Sequence, residues 1–240
     1  MSFHLLVYNT EKFAKICIYR LRGDNHMSVE IKEYYNPNSP LKLRVARGHF
    51  ATSHSHINYY VDLTFTKHRL SEAKEAARQL TAKYKSSTII DTILCLDGTE
   101  VVGACMASDL TKSGFQSINL HNTVYVLTPE HTTGSQLIFR DNTKMMIEGK
   151  HVLILAASIT TGYTVQGGIE AVNYYGGTVV GVSSIFASMK ECAGFPVYSV
   201  FNTDYFMNDY LSTQYHDCPL CKKGVKLDGI VNTFGISYFK

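Results

Sequence analysis

The stretch VLILAASITTGYT, residues 152–164, constrains the fold of this chain more than any other segment. Its first six residues are all apolar, which is typical of a strand buried on both faces of a sheet. The small, hydroxyl-rich residues that follow are typical of a turn that opens a helix. The segment therefore predicts a buried strand that runs directly into the N-terminus of a helix.

Strand-like and helix-like segments alternate along most of the chain. Apolar residues at helical spacing, apolar β-rich runs and glycine punctuation define the elements. They are a helix over residues 70–84 with Ser71 as a candidate cap, a strand from Thr88 to the turn at Asp97-Gly98, a helix up to Leu110, a strand over 122–128, a helix from Thr164 to Gly176-Gly177, and a strand over 178–186. This alternation predicts an α/β fold with a mostly parallel sheet flanked by helices.

Turn-rich sequence and cysteine spacing suggest three regions. The segment YYNPNSP, residues 34–40, separates the beginning of the chain from its body. We expect an N-terminal extension over residues 1–43 that contributes to a small hood, an α/β core over 44–190, and a C-terminal segment over 191–240 that carries a Cys-x-x-Cys pair.

Composition excludes several classes of protein. The 23 basic and 20 acidic residues leave a formal charge of +3 without basic runs, which argues against nucleic-acid binding. No apolar run approaches the roughly 20 residues that a membrane helix needs. Six scattered cysteines and the absence of a signal pattern predict a cytoplasmic protein.

The turn within residues 158–164, which follows the apolar strand that begins at Val152, has the chemistry of a phosphate site. A helix N-terminus offers unpaired N–H groups, hydroxyls add donors, and Gly162 allows close approach of the backbone. The same residue types also serve simply as caps, so capping alone is the alternative. The P-loop and dinucleotide-binding glycine patterns are absent from the chain. The candidate phosphate-binding residues are Ser158, Thr160, Thr161, Gly162, Tyr163 and Thr164.

The stretch at 152–164 resembles the phosphoribosyl-diphosphate motif of type I phosphoribosyltransferases. Three other segments follow the order found in their orotate-specific members: residues 48–62, 95–103 and 218–229. The resemblance implies that Thr160 to Thr164 bind the 5′-phosphate of phosphoribosyl diphosphate. It further implies a pyrophosphate side at Asp97, Gly98, Thr99 and Glu100, with Mg²⁺, and a base side at Phe50, Ser53, His54 and Tyr60.

Two departures from that family pattern bear on catalysis. Ala156 and Ala157 stand where the family has an acidic pair that holds the ribose hydroxyls. The connection over residues 128–144 has no lysine in its first half, where the family has a mobile loop with lysines; His131 and Arg140 are the cationic substitutes. Loss of one preorganised charge costs about 10²- to 10³-fold in rate.

Histidines and cysteines raise the question of a metal. Cys218 and Cys221 have zinc-knuckle spacing, and Cys192 and His216 are candidate further ligands. The alternative is that the two cysteines are reduced thiols in an ordinary turn or form a contact across a dimer surface. His49, His54 and His56 crowd one segment, and alternation along an extended chain would place His54 and His56 on one face. The family resemblance instead places that segment beside the base.

Two functions follow from these observations. The first is a phosphoribosyltransferase in nucleotide metabolism, which transfers phosphoribosyl to orotate or another pyrimidine. The second is a catalytically silent regulator that binds a nucleotide or a phosphoribosyl compound. The family pairs active sites across dimers, so a homodimer is expected.

Overall fold

A computed structural model describes residues 16–20, 30–35, 39–112, 118–119, 123–133, 136–206 and 209–239. The chain divides into two compact units. Unit 1 consists of Met1–Phe65 and Thr203–Lys240, and unit 2 is Thr66–Asn202.

The first segment of unit 1 contains four strands. They are β1 (Ile16–Arg20), β2 (Glu30–Tyr35), β3 (Lys42–Ala51) and β4 (His56–Asp62). Each strand pairs antiparallel with the next. Between Arg47 and Phe50 the register of β3 against β4 shifts, so that Gly48 and His49 form a β-bulge.

Unit 2 holds the helices and the parallel sheet. Its elements, the first of which begins just before the unit boundary, are α1 (Thr64–His68), α2 (Leu70–Thr81), β5 (Thr92–Cys95), α3 (Glu100–Thr111), β6 (Tyr125–Leu127), β7 (Glu130–His131), β8 (Leu137–Ile138), α4 (Asp141–Lys144), β9 (His151–Ile159), α5 (Tyr163–Tyr174), β10 (Thr178–Ala187), β11 (Glu191–Cys192) and β12 (Phe195–Asn202). The main sheet has the order β11-β12-β10-β9-β5-β6. All neighbours in it are parallel except β11 and β12. The predicted α/β fold is confirmed.

The second segment of unit 1 returns to the antiparallel sheet. It contains β13 (Ser212–Thr213), α6 (Pro219–Lys222), β14 (Gly229–Asn232) and β15 (Gly235–Tyr238). β13 pairs antiparallel with β4, and β14 pairs parallel with β3 at Phe50 and Ala51. The two segments of unit 1 therefore complete one sheet.

The unit boundaries differ from those expected at residues 43/44 and 190/191. β3 and β4 belong to unit 1 because they pair with β2 and with the returning strands. β12 extends the parallel sheet of unit 2 up to Asn202. The hood role of the N-terminal segment stays a prediction.

Most predicted elements form, with shifted ends. α2 begins at Leu70, and Ala73 N already donates to Arg69 O at 2.9 Å, so the expectation of Ser71 as its cap is wrong. The helix ends at Thr81 because the following backbone turns, with both Tyr84 N and Lys85 N donating to Thr81 O. Among the described residues, no helix is long and apolar enough to cross a bilayer.

The core of unit 2 lies against both faces of the parallel sheet. β9 is central, and its residues from Val152 to Ala156 are completely buried. Leu94 of β5 and Val182 of β10 lie in the same apolar cluster as Ile154. A strand buried in this way holds its carboxyl end, and the turn that follows, in a fixed position.

Candidate functional site

The turn after β9 joins the central strand to α5. Thr160, Thr161 and Gly162 make the bend, and α5 begins at Tyr163. Ser188, which follows β10, donates its N–H to Ile159 O at 2.8 Å and its hydroxyl to Thr160 O at 3.0 Å. The turn is therefore held by the neighbouring strand. The predicted order of central parallel strand, turn and helix is confirmed, but the turn is shorter than the expected 158–164, because β9 runs to Ile159 and α5 begins at Tyr163.

Gly162 is required in this turn for two reasons. Its φ of +81° lies in the left-handed region, which favours glycine. A Cβ atom built at this position would lie 2.8 Å from Cys192 Sγ. The turn thus depends both on the backbone freedom of Gly162 and on the space that it leaves.

The threonine hydroxyls of the turn are open. Thr160, Thr161 and Thr164 are half-buried, and within the described parts of the chain no group is hydrogen-bonded to their hydroxyls. The first N–H groups of α5 have no acceptor inside the helix and carry the positive end of its dipole. Ser158 and Tyr163 are exposed at the two edges. This arrangement fits a phosphate group, which accepts several hydrogen bonds at once.

A second turn follows β5, the parallel neighbour of β9. Asp97 and Gly98 both have left-handed backbones, with φ of +59° and +76°. Asp tolerates this region better than most residues because its short polar side chain can bond locally. Leu96 N donates to Leu155 O at 2.8 Å, so the end of β5 is fixed to β9. The two turns leave the same edge of the sheet.

Thr99 and Glu100 differ in their roles beside this turn. The Thr99 hydroxyl is buried and lies 2.9 Å from Leu96 O and 3.1 Å from Leu155 O. It therefore ties the turn to both strands. Glu100 is exposed, and its carboxylate accepts a hydrogen bond from Thr128 Oγ1 at 2.9 Å.

The carboxyl group of Asp97, at this edge, has a raised pKa. Burial raises its pKa, while Lys67, His131 and the N–H of Ala157 act in the opposite direction. Lys67 is itself buried and donates to Asp97 O at 3.1 Å. The site therefore combines one acidic and two basic groups, of which the lysine was missed by the sequence analysis.

The two predicted cations of the connection behave differently. His131 lies close enough to Asp97 to oppose the rise in the pKa of that carboxyl group. Arg140 forms two hydrogen bonds, of 2.6 and 2.7 Å, with the Glu130 carboxylate. The structure thus brings His131 to the site, whereas the charge of Arg140 is balanced by Glu130.

The two alanines at the end of β9 are packed. Ala156 is 0% exposed and belongs to the apolar cluster around the sheet, and Ala157 is 5% exposed. The backbone N–H of Ala157 faces the Asp97 carboxyl group. The carboxyl group that this N–H faces therefore comes from the turn after β5 rather than from β9 itself.

The base-side candidates lie in unit 1 and separate into two kinds. Phe50 and Tyr60 are buried together, with ring centroids 6.3 Å apart, in the core of that unit. They are packed rather than open for stacking. Ser53 and His54 are exposed in a turn closed by Thr52, whose N–H donates to Ser55 O at 2.8 Å. Their role beside a base stays a prediction.

The cysteine pair has other neighbours than those expected. Cys192 belongs to unit 2, where its thiol faces Gly162 O, and His216 lies 3.1 Å from the Asp217 carboxylate. His49 and His56 instead lie beside Cys218 and Cys221. His54, expected to share a face with His56, is in the exposed turn before β4. The bulge in β3, which the sequence does not reveal, places His49 there.

Comparison with known proteins agrees with the sequence resemblance. No family model matches the chain. Orotate phosphoribosyltransferase of Thermoanaerobacter sp. (strain X514) is 34% identical over 80 residues, which are 33% of this chain and 40% of that protein. The chain thus matches less than half the length of this curated relative.

Two solved structures show partial similarity. Leishmania donovani UMP synthase has 16% identity and a TM-score of 0.49, and the similar region spans 68% of this chain and 34% of the UMP synthase chain. Mycobacterium tuberculosis orotate phosphoribosyltransferase has 20% identity and a TM-score of 0.46, and the similar region spans 68% of this chain and 91% of the M. tuberculosis chain. Over a third of its length, the chain is therefore similar in sequence to an orotate phosphoribosyltransferase.

Proposed function

We propose that this protein binds phosphoribosyl diphosphate and transfers its phosphoribosyl group to a nitrogenous base, orotate or another pyrimidine. The observation that carries the proposal is the pair of turns at one sheet edge. One offers open hydroxyls and a helix N-terminus, and the other offers Asp97 flanked by Lys67 and His131. Phosphate and diphosphate groups need donors and cations of this kind.

Each turn would hold one end of the ligand. Thr160, Thr161, Thr164 and the N–H groups of α5 would bind the 5′-phosphate, while Lys67 and His131 would face the diphosphate. Mg²⁺ suits carboxylate and phosphate oxygens, and Asp97 and Glu100 would help hold it. When bound, the ion would neutralise charge on the leaving diphosphate.

In the proposed transfer, a ring nitrogen of the base attacks the anomeric carbon of the ribose. A C–N bond forms, the C–O bond to the diphosphate breaks, pyrophosphate leaves with the electron pair, and the proton of the ring nitrogen passes to the released pyrophosphate or to water. The configuration at the carbon inverts. Asp97, bonded to Ala157 N–H beside the positions of the missing acidic pair, would supply the negative charge that supports the developing cation.

The buried alanines favour a second candidate. A strand end without its own carboxylates is sufficient for binding but weakens support for the transition state. The alternative is therefore a regulator that binds a nucleotide or phosphoribosyl compound without turnover. A homodimer and a cytoplasmic location belong to both proposals.

Calorimetric titration and turnover assays separate the two. We expect phosphoribosyl diphosphate with Mg²⁺ to bind, and pyrophosphate to be released when orotate or uracil is added; adenine serves as the comparison base. Binding without pyrophosphate release with any base would favour the regulator. Absence of binding to phosphoribosyl diphosphate, ribose 5-phosphate and mononucleotides would contradict both. Light scattering should give about twice the chain mass of 26.9 kDa.

A further inference from the structure

Four potential metal ligands converge in unit 1. They come from β3, from β4 and from the segment around α6, and they are His49, His56, Cys218 and Cys221. Their ligand atoms all lie within 4.8 Å of one another. These residues lie outside the turns assigned above to phosphoribosyl diphosphate.

We propose that these four side chains bind one structural zinc ion. Zn–S bonds of about 2.3 Å and Zn–N bonds of about 2.0–2.1 Å, arranged tetrahedrally, separate the ligand atoms by about 3.3–3.8 Å. His49 Nε2 lies 3.1 Å from His56 Nδ1, 3.5 Å from Cys218 Sγ and 3.7 Å from Cys221 Sγ. His56 Nδ1 lies 3.2 Å from Cys221 Sγ. These four separations lie within a few tenths of an ångström of those in a tetrahedral zinc shell, and the other two do not exceed 4.8 Å.

The orientation of His49 supports a metal at this point. Its Nδ1 lies 2.9 Å from Val225 O, a carbonyl that can only accept, so Nδ1 carries the proton. The lone pair is thereby left on Nε2, the atom that faces the other three ligands. Outer hydrogen bonds of this kind fix the tautomer of metal-bound histidines.

The backbone around His49 is built to hold that orientation. His49 N donates to Asp228 Oδ2 at 2.7 Å, and Asp228 N donates to His49 O at 2.7 Å. A Cβ atom at Gly48 would lie 2.7 Å from the same carboxylate oxygen. The β-bulge therefore needs Gly48, and it directs the buried imidazole toward the cysteines.

The cysteine pair has the local structure of a zinc knuckle. Cys218 precedes α6, and the backbone N–H groups of Leu220 and Cys221 face its sulfur. Cys218 is buried, whereas Cys221 is exposed.

The donor set selects zinc over the magnesium proposed for the other unit. Two sulfur and two imidazole ligands suit zinc, whereas Mg²⁺ requires oxygen. Four protein ligands leave no open coordination position, which is typical of structural sites. The metal would join residues 169 positions apart in sequence, Cys218 and His49, and so would clamp the two segments of unit 1 together.

Metal analysis tests this proposal without reference to catalysis. Protein prepared with zinc present should contain one zinc per chain, and replacement by Co²⁺ should give the visible bands of tetrahedral cobalt together with thiolate charge-transfer bands. A chelator should lower the melting temperature, and Zn²⁺ should restore it while Mg²⁺ should not. Alkylation of unreduced, chelator-treated protein should label both cysteines.

Two ligand variants and two controls complete the experiment. Cys221→Ser and His56→Ala should each weaken zinc binding by at least about 100-fold, since loss of an outer partner alone costs 10- to 100-fold. His216→Ala and Cys105→Ser, which remove a nearby histidine and a thiol of unit 2, should still bind one zinc. A zinc content near zero in folded wild type, a Cys218–Cys221 disulfide in freshly prepared protein, or unchanged cobalt spectra in the ligand variants would overturn the proposal.

Discussion

The Nζ atom of Lys67 donates a hydrogen bond to the backbone oxygen of Asp97 across 3.1 Å. The lysine comes from α1 and the aspartate from the turn after β5. Because Lys67 is only 7% exposed, its charge lies in a less polar environment than a surface lysine would have. The site therefore has a fixed cation beside the turn proposed to face a diphosphate.

Removal of that cation should weaken diphosphate binding. We expect Lys67→Met to lower the affinity for pyrophosphate by about 10- to 100-fold, because hydrogen bonds to charged groups contribute about 1.5–3 kcal/mol. Calorimetric titration measures the change, with Lys112→Met, at the exposed end of α3, as the matched control. An unchanged affinity in folded Lys67→Met protein would show that Lys67 has a structural role only.

The raised pKa of Asp97 predicts a pH-dependent stability. The pKa of this carboxyl group is higher in the folded protein than in the unfolded chain, where it is near 3.8. Its contribution to the free energy of unfolding is therefore fully present below pH 3.8 and is lost as the pH rises through the folded pKa. Asp97→Asn removes this titration and tolerates the left-handed backbone. The variant should melt at a higher temperature than wild type at pH 7, with the gap closing toward pH 4, and should bind Mg²⁺-phosphoribosyl diphosphate more weakly. A gap that is independent of pH would contradict the assignment.

The two alanines should respond differently to an introduced carboxylate. Ala156→Asp places an unpaired charge in the core and should lower the free energy of unfolding by several kcal/mol, about 3–5. Ala157 is 5% exposed and is followed by the exposed Ser158, and Ala157→Asp should strengthen binding of Mg²⁺-phosphoribosyl diphosphate by roughly 1–3 kcal/mol through bonds to the ribose hydroxyls. Melting curves come first, and titration follows on the folded variant.

One outcome would end the comparison of Ala157 with the acidic pair of the family. If folded Ala157→Asp binds phosphoribosyl diphosphate no better than wild type while ribose 5-phosphate still binds, the turn holds phosphate but β9 does not meet the ribose hydroxyls. Wild-type protein titrated with the same two ligands is the control.

Gly162 and Cys192 should be energetically coupled. Gly162→Ala should lower the free energy of unfolding by roughly 1–3 kcal/mol, from its positive φ and the 2.8 Å approach to Cys192 Sγ. Cys192→Ala removes the sulfur that the new methyl group would approach. The free energy of unfolding of the double variant should therefore fall by less than the sum of the decreases in the two single variants. Gly167→Ala, in α5 with nothing within 4 Å, should instead stabilise by about 0.5–1 kcal/mol. Additive losses in a chemical denaturation cycle would rule out the contact.

The α/β fold was readable because its signals are local. The apolar run of β9 and the hydroxyl-rich turn after it lie in one continuous segment, so a pattern of 13 residues predicts both the strand and the start of α5. The turn at Asp97-Gly98 was found in the same way, from a β-rich run that stops at Asp-Gly.

The remaining site residues depend on contacts that sequence patterns do not encode. Lys67 is an ordinary lysine in a five-residue helix, and only the fold brings it to Asp97. His49 meets the cysteines because of a bulge and a strand pairing formed by residues more than 170 positions away. Phe50 and Tyr60 are packed in the core of unit 1, so their rings are not open for stacking with a base. The sequence does not reveal this, because aromatic residues suit a core as well as a binding site.

The split of unit 1 into two segments has a consequence for how the chain is made. During synthesis the residues of unit 2 leave the ribosome as one uninterrupted stretch, whereas the sheet begun by β2, β3 and β4 must wait for β13 and β14. Domains generally fold as units and in the order in which they are synthesised. Unit 2 is therefore expected to be complete while the first half of unit 1 still lacks its partner strands. The unfinished sheet then has an exposed edge at β3. Nascent chains are most open to misassociation at this stage, because an unpaired strand edge can pair with another chain.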